Sequence, residues 1–182
     1  MQFIRPLLIL TLAAIFSHLT LIVFWSNGNA NSPYLRVSSL LEPHKFYTLS
    51  EDFGADILQF ESQDLGYAVC HYDLNDQALV LNANINDGFG ILTVYSEFGE
   101  VIFSINSRQT KMAHLEFALL LEGAENSLPS GMVFQRITAK TGMIIIRLAV
   151  SGAAYHERVA QQLASARCDV MKSSDRPNEY SD

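Results

Sequence analysis

The chain has 182 residues, 49% of them apolar and only 17% charged, which is enough for one domain with a buried core plus additional segments. Its formal charge is -7 and its pI near 5.1. No Lys/Arg run or basic stripe is present to neutralise a phosphate backbone, which argues against nucleic acid as a partner.

Leu7 to Trp25 reads LLILTLAAIFSHLTLIVFW and holds no formal charge. A helix of that length, at 1.5 Å per residue, spans roughly the thickness of a bilayer's hydrocarbon core. Phe24 and Trp25 close it, where amphipathic rings favour the headgroup level. Two readings fit: an uncleaved anchor, or a signal peptide cleaved after Gly28-Asn29-Ala30. Secretory apolar cores run about 7–15 residues, and the greater length here favours the anchor. A very short tail before the span and a large remainder after it describe a signal-anchor, N-terminus in the cytoplasm and domain outside. His18 lies near the middle of the span. It is either a helix-packing histidine or a contact to another membrane helix, because polar groups at that depth need a partner.

Residues 27–32 form a polar Asn/Gly/Ser tether. Ser32-Pro33 then has the form of a helix start, serine as cap and proline at the first helical position. Tyr34, Val37, Leu40 and Leu41 keep helical spacing until Pro43. From Phe46 the period changes to two. Ala68, Cys70, Tyr72 and Leu74 share one strand face, and Tyr67, Val69, His71 and Asp73 the other. Leu79, Leu81, Ala83 and Ile85 alternate with Asn82, Asn84 and Asn86, as in a sheet with one wet face. Ile91–Tyr95 and Val101–Ile105 flank a turn in which Gly99 supplies the positive φ of a bulged hairpin. His114 to Leu121 reads as a further strand. Met132–Thr138 and Met143–Val150 predict a last hairpin around Lys140-Thr141-Gly142, its second strand MIIIRLAV covered on both faces. Tyr155, Val159, Leu163 and Ala166 then line a helix, and residues 171–182 carry no apolar period, as in a disordered tail. The fold class is α+β and β-rich: an antiparallel domain over residues 33–170 with a C-terminal helix, behind one N-terminal transmembrane helix.

Among the reactive side chains, Cys70 and His71 point to opposite faces of one strand and cannot act as a nucleophile pair. In an oxidising compartment Cys70 and Cys168 most simply form one disulfide, pinning the terminal helix to the sheet; the alternative is two buried thiols. His71 and Asp73 share a face as either a surface pair or a binding site. No H-x-H, H-E-x-x-H or C-x-x-C spacing occurs, so no metal and no other cofactor is expected, and no catalytic residue stands out.

Ala68-Val69-Cys70 with Tyr72-Asp73-Leu74, Tyr95 with Gly99, Ser104-Ile105-Asn106-Ser107-Arg108, and a terminal helix ending before Cys168 together resemble the domain of unknown function 1254 family. Where that family's pattern carries an aspartate between the asparagine and arginine, this chain has Ser107. The resemblance implies a sandwich-like domain, a bacterial envelope location of the alphaproteobacterial type and, often, a neighbouring protein of the related group 1214. It implies no reaction. With the signal-anchor layout, the expected place is the bacterial inner membrane with the domain facing the periplasm. Asn106 and Arg108 follow a strand two residues apart, either as a structural loop or aimed at one ligand, since arginine's fork suits a carboxylate or phosphate.

Two functional readings follow. In the first the protein is a non-enzymatic component of an envelope complex. In the second it is a ligand-binding or cryptic catalytic domain using His71, Asp73, Asn106 and Arg108.

Overall fold

The computed structural model describes residues 4–26, 32–49, 57, 62–75, 77–85, 88–110, 114–124, 128 and 132–171. Most of the expected tether (27–31), Asn86 and the expected tail from 172 onward lie outside the described residues. The chain divides into two units, Met1–Asn31 and Ser32–Asp182.

The first unit is the helix α1 (Ile4–Ser26). Its Ile4–Phe24 stretch is 21 residues long with a mean hydropathy of 2.5, long and apolar enough to cross a membrane. Its two threonines are satisfied locally. Thr11 donates to the carbonyls of Leu7 and Leu8 at 3.2 and 2.9 Å, and Thr20 donates to that of Phe16. Such back-bonding hides a hydroxyl from an apolar solvent. His18 lies exposed on the helix surface.

The second unit is a two-sheet sandwich. Five strands form one sheet in the order β1 (Tyr47–Leu49), β2 (Leu65–Asp73), β8 (Thr141–Ala149), β4 (Gly90–Ser96) and β5 (Val101–Asn106), all antiparallel. The other runs β7 (Phe134–Ile137), β6 (Leu115–Leu121), β3 (Leu79–Ala83) and β9 (Arg167–Val170). Here β6 and β7 are parallel and the remaining pairs antiparallel. The inward faces supply the main core: Ala68, Cys70, Tyr72 and Leu74, with Leu92 and Val94, Ile144 and Ile146, meet Leu79, Leu81, Phe117 and Leu119.

Helical pieces decorate the sandwich. The helix α2 (Pro33–Leu40) leads in, α3 (Ser107–Thr110) is one turn after β5, and α4 (His156–Ala164) follows a 3-10 turn at Ala153–Tyr155. Only Val159 and Leu163 of α4 are buried. They approach β2 so closely that a Cβ on Gly66 would stand 2.6 Å from Val159. Tyr155, expected on that buried face, is 48% exposed, because it belongs to the 3-10 turn where the helical phase has not begun.

Two expectations fail for one reason. β7 and β8 are not a hairpin: β8 is the central strand of the five-stranded sheet, whereas β7 lies beside β6 in the other. Alternation records which faces of a strand are apolar and says nothing of which strand lies beside it. Likewise the disulfide Cys70–Cys168, with Cα atoms 6.7 Å apart, does not pin the terminal helix. Cys168 lies in β9, paired opposite Leu81 of β3, so the bridge runs from sheet to sheet.

The face of β2 that carries His71 is not wet. Val37 and Leu41, with Leu49 and Ile57, form a second core over Tyr67, Val69, Met143 and Ile145. His71 is only 7% exposed.

Candidate functional site

The sequence-selected polar residues fall at two opposite places. The His71 ring donates from Nε2 to the Leu41 carbonyl at 2.8 Å and meets the Tyr34 ring edge-on at 6.5 Å. The Asp73 carboxylate accepts the Asn75 amide at 3.3 Å, closing an Asx turn. The structure adds His44 to this end: its amide donates to the His71 carbonyl at 3.0 Å and its ring to the Asp73 carbonyl at 2.9 Å.

Asn106 and Arg108 belong elsewhere. Asn106 is opposite Ile91, which is opposite Arg147, whereas Asp73 is opposite Thr141, six residues earlier in β8. Three strand spacings and that offset separate Asp73 from Asn106 by roughly 20 Å or more. The four residues therefore do not converge on one ligand. The Asn106 Oδ1 accepts the amides of Arg108 and Gln109 at 3.0 and 3.1 Å, the geometry of an N-cap. The Arg108 guanidinium lies 5.6 Å from the Phe89 ring centroid. Ser107, the position where the family pattern differs, donates to the Gly88 carbonyl and accepts the Gly90 amide, both at 3.2 Å. A hydroxyl does both; a carboxylate accepts only.

Among the described residues no group of three or more His, Cys, Asp or Glu is placed to hold a metal ion.

What the sequence reading missed is an apolar edge. β5 and β7 end their respective sheets, and between them opens a groove of about 310 Å³ whose mainly apolar lining includes Phe103, Phe117, Val133 and Phe134, with Glu116 and Gln135 among its polar members. The Phe103 and Phe117 rings meet at 5.7 Å in its wall. In that lining Val133 is 60% and Phe134 51% exposed; beyond the groove, at the turn end of the β4–β5 hairpin, Val101 is 61% and Phe98 72% exposed. The other flank differs, since α4 packs against β1 and β2 there and inserts Val159 and Leu163 into the core. A signal for this edge exists in the sequence: Val101-Ile102-Phe103 is apolar at consecutive positions, so the strand offers apolar groups to both sides.

Fold and edge together define a disulfide-bridged two-sheet sandwich following an apolar N-terminal helix in the chain, with an edge strand beside a mainly apolar groove. The chain belongs to the DUF1254 family of proteins of unknown function, whose profile matches residues 46–169. Among solved structures it is similar to the VPA0106 protein from Vibrio parahaemolyticus, with a TM-score of 0.63 and 9% identity over 80% of this chain and 35% of that one. It is also similar to an uncharacterised protein from Burkholderia cenocepacia, with a TM-score of 0.51 and 11% identity over 84% of this chain and 42% of that one. The chain thus spans well under half the length of these two structures, and the likeness is one of fold. No curated protein matches it.

Proposed function

We propose that the protein is a non-enzymatic component of a bacterial envelope complex, anchored by α1 in the inner membrane with its sandwich in the periplasm. It holds a second envelope protein, of the group 1214 type, at the β5–β7 edge. The observation that carries this reading is the groove and its exposed apolar lining. An edge strand beside an apolar trough is a surface that soluble domains normally blunt. It matches recognition by strand addition, in which main-chain bonds give affinity and side-chain pockets give selectivity. The greater length of the matched structures supports a fold that works beside a larger body. The disulfide fits an oxidising compartment.

The test uses the full chain, expressed with its group 1214 neighbour and carrying a photo-crosslinking residue at Val133. Crosslinking to that neighbour is expected, and Phe134→Asp or Val101→Asp should reduce it at least tenfold, since a charge in the centre of an apolar contact removes a hot spot. Exchange of α1 for an unrelated span tests whether His18 adds a helix contact. If the neighbour is not captured, or is captured equally by the aspartate variants, the edge is not its docking surface.

A further inference from the structure

On the outer face of the central strand β8 stands Arg147, with no carboxylate beside it among the described residues. β8 sends Ile144, Ile146 and Leu148 inward to the main core and Met143 and Ile145 outward to the second core. Arg147 follows on that outward face, half-buried, in register with Tyr67 of β2 and Ile91 of β4. Its Nη2 donates to the Tyr95 hydroxyl at 2.8 Å and its Nη1 contacts that of Thr93 at 3.4 Å. The guanidinium also lies over the Tyr95 ring, 5.7 Å from its centroid. Thr93 is 4% exposed and its hydroxyl meets that of Ser104 at 3.3 Å.

Every one of these partners is neutral, and among the described residues no carboxylate pairs with Arg147. Removing a full charge from bulk water costs free energy that neutral hydroxyls offset only in part. Meanwhile Tyr95 and Thr93 fix the plane of the guanidinium, so its remaining N–H donors are already oriented for an incoming acceptor. The partner that best matches a fixed fork is a planar or tetrahedral oxyanion.

We propose that Arg147, positioned by Tyr95 and Thr93, is the centre of an oxyanion-binding site on the outer face of the five-stranded sheet, taking a carboxylate or phosphate group. That group belongs either to a small soluble anion or to an anionic lipid headgroup. The site is independent of the β5–β7 edge.

The experiment follows the Arg147 Nε–Hε signal of the ¹⁵N-labelled full chain in phosphatidylcholine nanodiscs as inorganic phosphate or acetate is added, and separately in nanodiscs that contain phosphatidylglycerol. A saturable shift with either free anion identifies a soluble ligand; a shift only with phosphatidylglycerol identifies the headgroup. Arg147→Met should abolish binding of the effective probe, Arg147→Lys should weaken it at least tenfold by losing the fork, and Tyr95→Phe should weaken it several-fold. No saturable shift with any of the three probes overturns the proposal, as does unchanged affinity in a folded Arg147→Met protein. If that variant does not fold, the wild-type titration and the lysine variant decide.

Discussion

Tyr72 has no solvent exposure and is the bulkiest such side chain in the core. Its phenol donates to the Tyr95 carbonyl at 3.3 Å, and Gly142 makes the room. A Cβ at 142 would stand 2.6 Å from the Tyr72 oxygen and would collide with the Tyr95 carbonyl as well. Burial pushes the Tyr72 phenol well above its ordinary value of 10.0, and burial also raises that of Tyr34. The native state therefore keeps protons that the unfolded chain gives up above about pH 10. Stability from this source is fully present below that pH and is lost as pH rises toward the higher native values. Urea unfolding between pH 7.5 and 11 should show Tyr72→Phe less stable by about 1 kcal/mol at the lower pH, one hydrogen bond's worth. Its alkaline decline should be shallower, with Tyr34 supplying part of what remains. An equally steep decline in the variant would remove Tyr72 as the cause.

At the level of elements, α2 is instructive because nothing local holds it. Its eight residues are too few for a helix to persist alone. Its expected cap fails, since the Ser32 hydroxyl donates to the Glu97 carbonyl at 3.2 Å rather than to the first turn. Burial of Val37 and Leu41 and the bond from His71 to the Leu41 carbonyl keep it in place. His71→Leu should leave that carbonyl unpaired at a cost of about 1–3 kcal/mol, and hydrogen exchange over residues 33–41 should quicken ahead of the rest of the domain. Uniform loss of protection, or none, would show that α2 does not depend on His71. The same element marks where the sequence stops being informative. Alternation located β2, β3 and the β4–β5 hairpin because each strand has one face in the main core. It gave the His71 face as solvent-facing because the cover, α2 with Ile57, comes from elsewhere in the chain. The cap at Asn106 was readable as a local motif. The apolar run Val101-Ile102-Phe103 hints at the β5–β7 edge, but its place there and that of Arg147 depend on which strands end or centre a sheet. A lone charge inside MIIIRLAV is the only trace Arg147 leaves.

For the molecule as a whole the disulfide decides how the sheets stay together. Cys70 lies in a strand flanked on both sides in the five-stranded sheet, and Cys168 in β9 at the end of the other. The 98-residue separation encloses every strand from β3 to β8. In the chain-entropy description, closing a loop of that size removes about 4–5 kcal/mol worth of freedom from the unfolded chain, and measured losses of native bridges fall at about 2–5 kcal/mol. That is a large share of a domain's net stability, about 5–15 kcal/mol. Both sulfurs lie in the main core, with the cysteines at most 1% exposed, so a reductant reaches them only through opening. Two consequences follow for the full chain. Cys70→Ala/Cys168→Ala should lower its unfolding free energy in urea by about 2–5 kcal/mol. Thiol reductant should leave the folded wild type oxidised until urea approaches the transition, then shift its midpoint to that of the variant. Equal midpoints for the oxidised protein and the double variant would mean that sheet-to-sheet packing alone carries the fold. A domain with the expected dependence reaches full stability only where its bridge can form.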